Sequence, residues 1–187
     1  MSTPDAIEFA ELRRTIAVRG TVRAVLGPAA VGLWAAVAMS ARYGDPRVQI
    51  LLPLLVLAAG FEGVRAIHIG VERIGRYLQV FHEGGGRLLP GWETAAMEPA
   101  PRVRGLALAP LFSPVFALAT AANALLSWDP LAPALVAVWG VLHLAFLIRI
   151  ALATHACRTQ RAADLAHYKA LHARLTAAHQ VPPRSTD

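Results

Sequence analysis

The sequence lacks the residues that most enzymes and metal sites are built from. Cys157 is the only cysteine, so no disulfide forms within the chain and no cysteine pair is present to hold a metal ion. His68 and Glu72 have the i, i+4 spacing of a metal-ligand pair, but no H-E-x-x-H sequence and no further ligand at suitable spacing accompanies them. A nucleophile elbow, a phosphate-binding P-loop and a dinucleotide glycine loop are also missing. We therefore predict no catalytic set, no cofactor and no bound metal.

Charge is also scarce, because only 16% of the 187 residues are charged and 56% are hydrophobic, whereas a soluble domain has about 25% charged residues. The apolar residues form four segments, at about 22–41, 48–69, 106–128 and 131–151. Each is long enough to cross the hydrocarbon core of a bilayer as a helix. We predict an all-α integral membrane protein with four transmembrane helices, as one domain over residues 1–180 that is followed by a disordered tail at 181–187.

The positions of the basic residues predict the orientation of these segments. The net charge is +6, and arginines are concentrated in 13–23, in 73–104 and, with the single lysine, in 158–184. The two opposite connections carry only Arg42 and Arg47. This positive-inside bias places both termini in the cytoplasm, and we expect a bacterial inner membrane. A nucleic-acid partner is not expected, since no basic and aromatic interleaving occurs.

The segment from Val48 to Glu83 keeps a helical period past the length of a membrane span, which predicts one long helix with a cytoplasmic extension. The fourth span continues in the same way to about His179. Small residues recur along one stripe of the second helix and predict close approach by a neighbouring helix. Those residues are Ala59, Gly63, Ala66 and Gly70.

The N-terminal residues predict a further, amphipathic helix that lies at the inner membrane interface. From Ala6 to Arg19, apolar residues alternate with charges. Gly20 and the Gly27-Pro28 pair would allow a bend between this helix and the first span. Pro110 and Pro114 predict a kink near the inner end of span three.

Ionisable residues inside the spans form the candidate polar intramembrane cluster. A charge in a span is costly and needs a partner, so we expect the residues of this cluster to meet in the inner half of the bundle. They are Glu62, Arg65, His68, His143 and Arg149. Two interpretations remain open: a structural ion pair that holds span two to span four through Arg149, and a proton or ion relay. Asn123 in span three is expected to bridge to a neighbouring helix.

Polar residues also form a stripe along the second helix, which includes Glu62, Arg65 and His68. This polar stripe continues into the cytoplasmic extension of span two, and with the loop at 84–105 it forms a candidate interaction surface. Its residues are Glu72, Arg76, Gln79, Glu83 and Trp92. The leading hypothesis is an accessory subunit or scaffold that acts through its cytoplasmic helices and loop, with membrane lipid and a protein partner or a homo-oligomer as partners. The alternative is a small oligomeric ion or proton channel or transporter that uses the Glu62-Arg65-His68 stripe.

Overall fold

The computed structural model describes residues 3–41, 46–83, 111–126 and 133–179, and these form helices with no strand among them. The helices are α1 (Thr3–Ala41), α2 (Pro46–Phe81), α3 (Ser113–Leu126) and α4 (Pro133–His179). Three of them, α1, α2 and α4, are long and apolar enough to cross a membrane. The predicted all-helical class is therefore confirmed. The predicted loop at 84–105, which includes Trp92, and the tail at 181–187 lie outside the described residues.

Helix α2 matches the long helix that the sequence predicts from Val48 to Glu83. It begins at Pro46, where the missing amide hydrogen would have no helical acceptor in any case. After Phe81 the chain leaves the helix in a turn, in which the amides of His82 and Glu83 both donate to the carbonyl oxygen of Leu78, at 3.0 and 3.1 Å. The helical period was sufficient to predict this element, although Pro53 lies inside the helix, where it removes one backbone hydrogen bond.

The prediction of a separate N-terminal helix is wrong, since α1 runs without interruption from Thr3 to Ala41, with Pro28 inside it. One glycine inside a helix costs only about 1 kcal/mol relative to alanine, which tertiary packing can offset. Gly27 has such a packing role: a Cβ atom there would lie 3.0 Å from Cδ2 of Phe112. The glycine makes room for an aromatic ring and does not end the helix.

Span three differs from the predicted helix at 106–128. In the described residues the helix begins at Ser113, after Phe112 with a positive φ of 53°, so the chain turns at this point and does not continue as a kinked helix. Pro114 then occupies the first turn, where proline is tolerated. The 14 residues of α3 span roughly 21 Å at 1.5 Å per residue, less than the roughly 30 Å of hydrocarbon. Residues 106–110 and 127–128 lie outside the described part.

The chain divides into two compact units. The polar unit comprises Met1–Ala17, Gly70–Arg102 and Arg158–Asp187, and the apolar unit comprises Val18–Ile69 and Val103–Cys157. The three long helices contribute to both units. Each unit has its own polar contacts and its own packing.

Three phenylalanines from three helices form the centre of the apolar unit. The ring of Phe61 on α2 meets Phe116 of α3 and Phe146 of α4 edge-on, with ring centroids 5.5 and 5.9 Å apart. Leu57 and Val64, one turn before and one turn after Phe61, are fully buried. This spacing makes one side of α2 the common contact for α3 and α4.

Helix α1 packs against a second side of α2, at glycines. A Cβ atom at Gly60 would lie 2.3 Å from Cβ of Ala30, and one at Gly63 would lie 3.1 Å from Cδ2 of Leu26. The sequence predicted a close approach along the stripe that contains Gly63. Gly60 lies outside that predicted stripe, yet among the glycines with described contacts a Cβ atom there would meet α1 most closely.

Candidate functional site

Glu62 is the centre of an ion-pair cluster in the apolar unit. Its Oε2 accepts a hydrogen bond from Nη1 of Arg65 at 3.2 Å, one turn further along α2. From α4, Nη2 of Arg149 lies 2.8 Å from Oε1 and 3.0 Å from Oε2 of the same carboxylate. Three of the five predicted cluster residues are therefore in direct contact. We call these three residues the Glu62 cluster.

The Glu62 cluster lies at the surface of the apolar unit, with 30% of the Arg65 side chain, 41% of Glu62 and 42% of Arg149 exposed. Exposed leucine and isoleucine side chains flank it on α4, at Ile148 and Leu152. The cluster carries two positive charges and one negative charge in this apolar setting. It has one cation more than its single carboxylate can neutralise.

His68 contacts helix α1. Its imidazole is buried, and Nη1 of Arg23 lies 2.7 Å from its Nδ1. Because a guanidinium has donors and no acceptor, Nδ1 of His68 must accept this hydrogen bond. The contact thus requires an imidazole without a proton on Nδ1, and it connects α1 to α2.

His143 belongs to a different polar network, in which the His143 and Asn123 side chains are buried and Trp34 is partly buried. The indole Nε1 of Trp34 donates to Oδ1 of Asn123 at 3.1 Å, Nδ2 of Asn123 lies 2.9 Å from Nε2 of His143, and Nδ1 of His143 lies 2.7 Å from the carbonyl oxygen of Trp139. The sequence expectation that His143 joins Glu62 and Arg149 is not what these bonds show. His143 precedes Arg149 by six residues, roughly 9 Å along α4.

The direction of every hydrogen bond in this network follows from Trp34. An indole only donates, so it fixes the amide oxygen of Asn123 toward Trp34 and the amide nitrogen toward His143. Nε2 of His143 must then accept, and Nδ1 carries the proton that is donated to the Trp139 carbonyl. The network therefore holds a neutral imidazole and joins α1, α3 and α4. Asn123 makes the interhelical bridge that the sequence suggested.

Sequence reasoning missed Arg23 and Trp34 as members of these networks. Both fall within the first apolar segment, where a buried donor must find an acceptor. This rule would have identified them as candidates. It would not have identified their partners, which lie 45 residues away for Arg23 and 89 residues away for Trp34.

In the polar unit, Arg76 is a buried charge. Its side chain is 3% exposed; Nη2 donates to Oε2 of Glu72 at 2.6 Å, and Nη1 donates to Oδ2 of Asp164 at 2.9 Å. Arg73, which is 56% exposed, lies 3.9 Å from the same Asp164 oxygen. Gln160 donates to the other oxygen of Asp164 at 2.8 Å. The Arg76 side chain thus connects α2 to α4 inside the unit.

These contacts correct the predicted interaction surface of Glu72, Arg76, Gln79, Glu83 and Trp92. Arg76 and Glu83 are buried, and Trp92 lies outside the described residues. Glu72 and Gln79 keep partial exposure. A polar stripe on a helix identifies a face with one environment, but its period does not say whether that face meets solvent or the charged side of another helix.

Aromatic side chains complete the packing of the polar unit. Tyr77 stacks on Phe81 with ring centroids 4.7 Å apart and meets Tyr168 edge-on at 6.0 Å, while Phe81 meets the ring of His172 at 5.3 Å. The Tyr77 hydroxyl donates to Oε1 of Glu8 on α1 at 2.9 Å. Burial raises the pKa of Tyr77, and the hydrogen bond to Glu8 raises it further.

Among the described residues, no group of three or more histidine, cysteine or carboxylate side chains is arranged to hold a metal ion. Comparison with known protein families, with characterised proteins and with solved structures finds no match to this chain.

Proposed function

We propose that this chain is a multi-pass inner-membrane protein with four membrane segments and with both termini in the cytoplasm. Three long apolar helices support the proposal, and so does the position of the arginines in the sequence. Large apolar side chains on the surface of the apolar unit, such as Leu118, Leu125 and Val141, are more than half exposed. Such side chains are suited to contact with lipid, because a soluble protein rarely exposes many of them together.

We further propose that the protein acts by association, with the polar unit as a scaffold for a protein partner or for a second copy of the chain. The observation that carries this proposal is the buried Arg76. Placing a guanidinium inside a small helical unit is costly unless both charge and geometry are matched, and such pairs specify one register of the paired helices. A fixed register of α2 and α4 gives the polar unit one defined surface, which specific docking requires.

Photo-crosslinking in cells tests the scaffold directly. A benzophenone side chain at exposed Lys169 or Arg174 of the polar unit should give one reproducible adduct with a protein, and Asp164→Asn should remove the adduct by loosening the paired helices. The matched control is the same side chain at exposed Leu118 of the apolar unit, where we expect adducts with lipid. Absence of any protein adduct from both polar-unit positions would contradict the proposal.

Ion flux in liposomes tests the alternative function, a channel or transporter. The carboxylate of Glu62 is bonded to two guanidiniums and His68 to a third, so we expect no conduction along this stripe. Reproducible proton or ion flux that is lost in Glu62→Gln would replace the scaffold with an oligomeric pathway.

A further inference from the structure

The Glu62 cluster has more hydrogen-bond donors than it has acceptors. Arg65 and Arg149 together present ten N–H groups, and both use the single carboxylate of Glu62. Nε of Arg65 is itself buried and has no hydrogen-bond partner among the described residues, so the donors open to a further acceptor are the Nη groups of the two arginines. One positive charge also remains uncompensated, so the cluster is suited to a further acceptor that carries one negative charge.

The position of the cluster indicates where that acceptor comes from. Arg65 precedes Ile69, where the apolar unit ends on α2, by four residues, or roughly 6 Å, and Arg149 precedes Cys157, where it ends on α4, by eight residues, or roughly 12 Å. With both termini inside, these ends lie at the cytoplasmic leaflet. An arginine side chain is long enough to reach the lipid headgroups from this depth; here Glu62 holds both guanidiniums.

The surroundings of Arg149 are suited to acyl chains. Ile148 and Leu152 beside it, and Leu144 about one turn before it, are each at least half exposed. An anionic phospholipid combines the two features that the surface presents, since it carries a phosphate above apolar chains. A guanidinium binds a phosphate with two parallel hydrogen bonds, and anionic lipids give the cytoplasmic leaflet a negative surface that attracts arginine.

We propose that Arg65 and Arg149 bind the phosphate of an anionic phospholipid of the cytoplasmic leaflet, with its acyl chains along Ile148 and Leu144, which lie on the side of Arg149 away from the cytoplasm. One phosphodiester neutralises the one excess charge of the cluster. Glu62 holds the two guanidiniums side by side and at the same time competes with the phosphate for their donors. The proposal rests on the membrane placement above and is independent of the scaffold.

Because Glu62 competes with the phosphate, its removal and the removal of either arginine should change the lipid affinity in opposite directions. We expect the purified full chain in a neutral detergent to bind dioleoylphosphatidylglycerol at least tenfold more tightly than dioleoylphosphatidylcholine, measured by native mass spectrometry. Arg65→Gln and Arg149→Gln should each lower the phosphatidylglycerol affinity about tenfold, as expected for loss of a charge-assisted pair. Glu62→Gln should raise it, because the competing carboxylate is removed. Arg73→Gln, an exposed arginine of the polar unit on the same helix, should leave it unchanged.

Four outcomes would overturn the proposal. A loss of affinity in Glu62→Gln would make the cluster a purely structural ion pair. An equal loss in Arg73→Gln would show nonspecific attraction, and equally tight binding of soluble glycerol phosphate would show a site for a free phosphate. A dimer that Arg149→Gln dissociates would assign the surface to a second copy. Extraction of the protein from membranes by alkaline carbonate would instead refute the membrane placement itself.

Discussion

The buried guanidinium of Arg76 allows a specific prediction about stability, because Arg73 in the same chain serves as a matched control. Arg76 and Arg73 both lie on α2 and both approach Oδ2 of Asp164, at 2.9 and 3.9 Å. Their side chains are 3% and 56% exposed. Arg76→Met and Arg73→Met thus remove the same charge from the same acceptor, once from a buried position and once from an exposed one.

The two expected losses of stability differ by about 2 to 3 kcal/mol. Breaking a buried ion pair costs roughly 3 to 5 kcal/mol, and we expect the low end for Arg76→Met, because Glu72 is 30% exposed and its carboxylate can be hydrated after the change. An exposed pair contributes about 0 to 1 kcal/mol, so Arg73→Met should have little effect. Asp164→Asn combined with Arg76→Met should cost less than the sum of the single changes, by about 1 to 3 kcal/mol.

Hydrogen exchange measures the local loss of stability, in peptides that cover the part of α2 in the polar unit. A loss of about 3 kcal/mol corresponds to exchange roughly 100-fold faster, since about 1.4 kcal/mol is a factor of ten. Peptides from the apolar unit serve as the internal reference. Equal acceleration by Arg73→Met and Arg76→Met, or an Arg76→Met effect below about tenfold, would refute the assignment of Arg76 as the residue that joins the two helices.

Three further predictions concern other contacts. Gly60→Ala places a Cβ atom against α1 and should destabilise the detergent-solubilised protein by about 1 to 3 kcal/mol, whereas Gly140→Ala, with open space around it, should stabilise it by up to about 1 kcal/mol; similar unfolding midpoints would contradict this close packing. Asn123→Leu leaves an indole donor and an imidazole acceptor unpaired and should cost about 2 kcal/mol, so an unchanged midpoint would argue against the network. Tyr77 should ionise above its ordinary value of 10.0, and Glu8→Gln should lower that pKa, as followed by tyrosinate absorbance. Because the folded-state pKa is the raised one, this contact stabilises the fold fully below about pH 10 and is lost as the pH rises through the folded pKa.

Local features of the fold could be predicted from the sequence, because they depend on neighbouring residues. The period of α2 is unbroken from its first apolar turn to Phe81, and Glu62 and Arg65 are one turn apart on it. Helix α1 shows the limit of such reasoning. The Gly27-Pro28 pair predicts a bend from local propensity alone, whereas the structure shows that a Cβ atom at position 27 would crowd the ring of Phe112, which is far away in the sequence.

The polar networks could not be predicted in full, because each depends on a choice among distant partners. Arg76 and Asp164 are 88 residues apart, and several acidic residues were equally available to Arg76 in the sequence. His143 had a charged candidate partner in Glu62 and a neutral one in Asn123. The packing of α3 against α4 decides between them, and that packing is a property of the whole apolar unit.

Labelling of single cysteines in intact spheroplasts tests the membrane placement most directly. In a Cys157→Ala background, a cysteine at Asp45, between α1 and α2, and one at Thr176, exposed near the end of α4, are treated with a maleimide that does not cross membranes. A topology with both termini inside predicts labelling at position 45 in intact spheroplasts and labelling at position 176 only after lysis. Labelling of position 176 before lysis would contradict the topology, and with it the lipid site at Arg65 and Arg149.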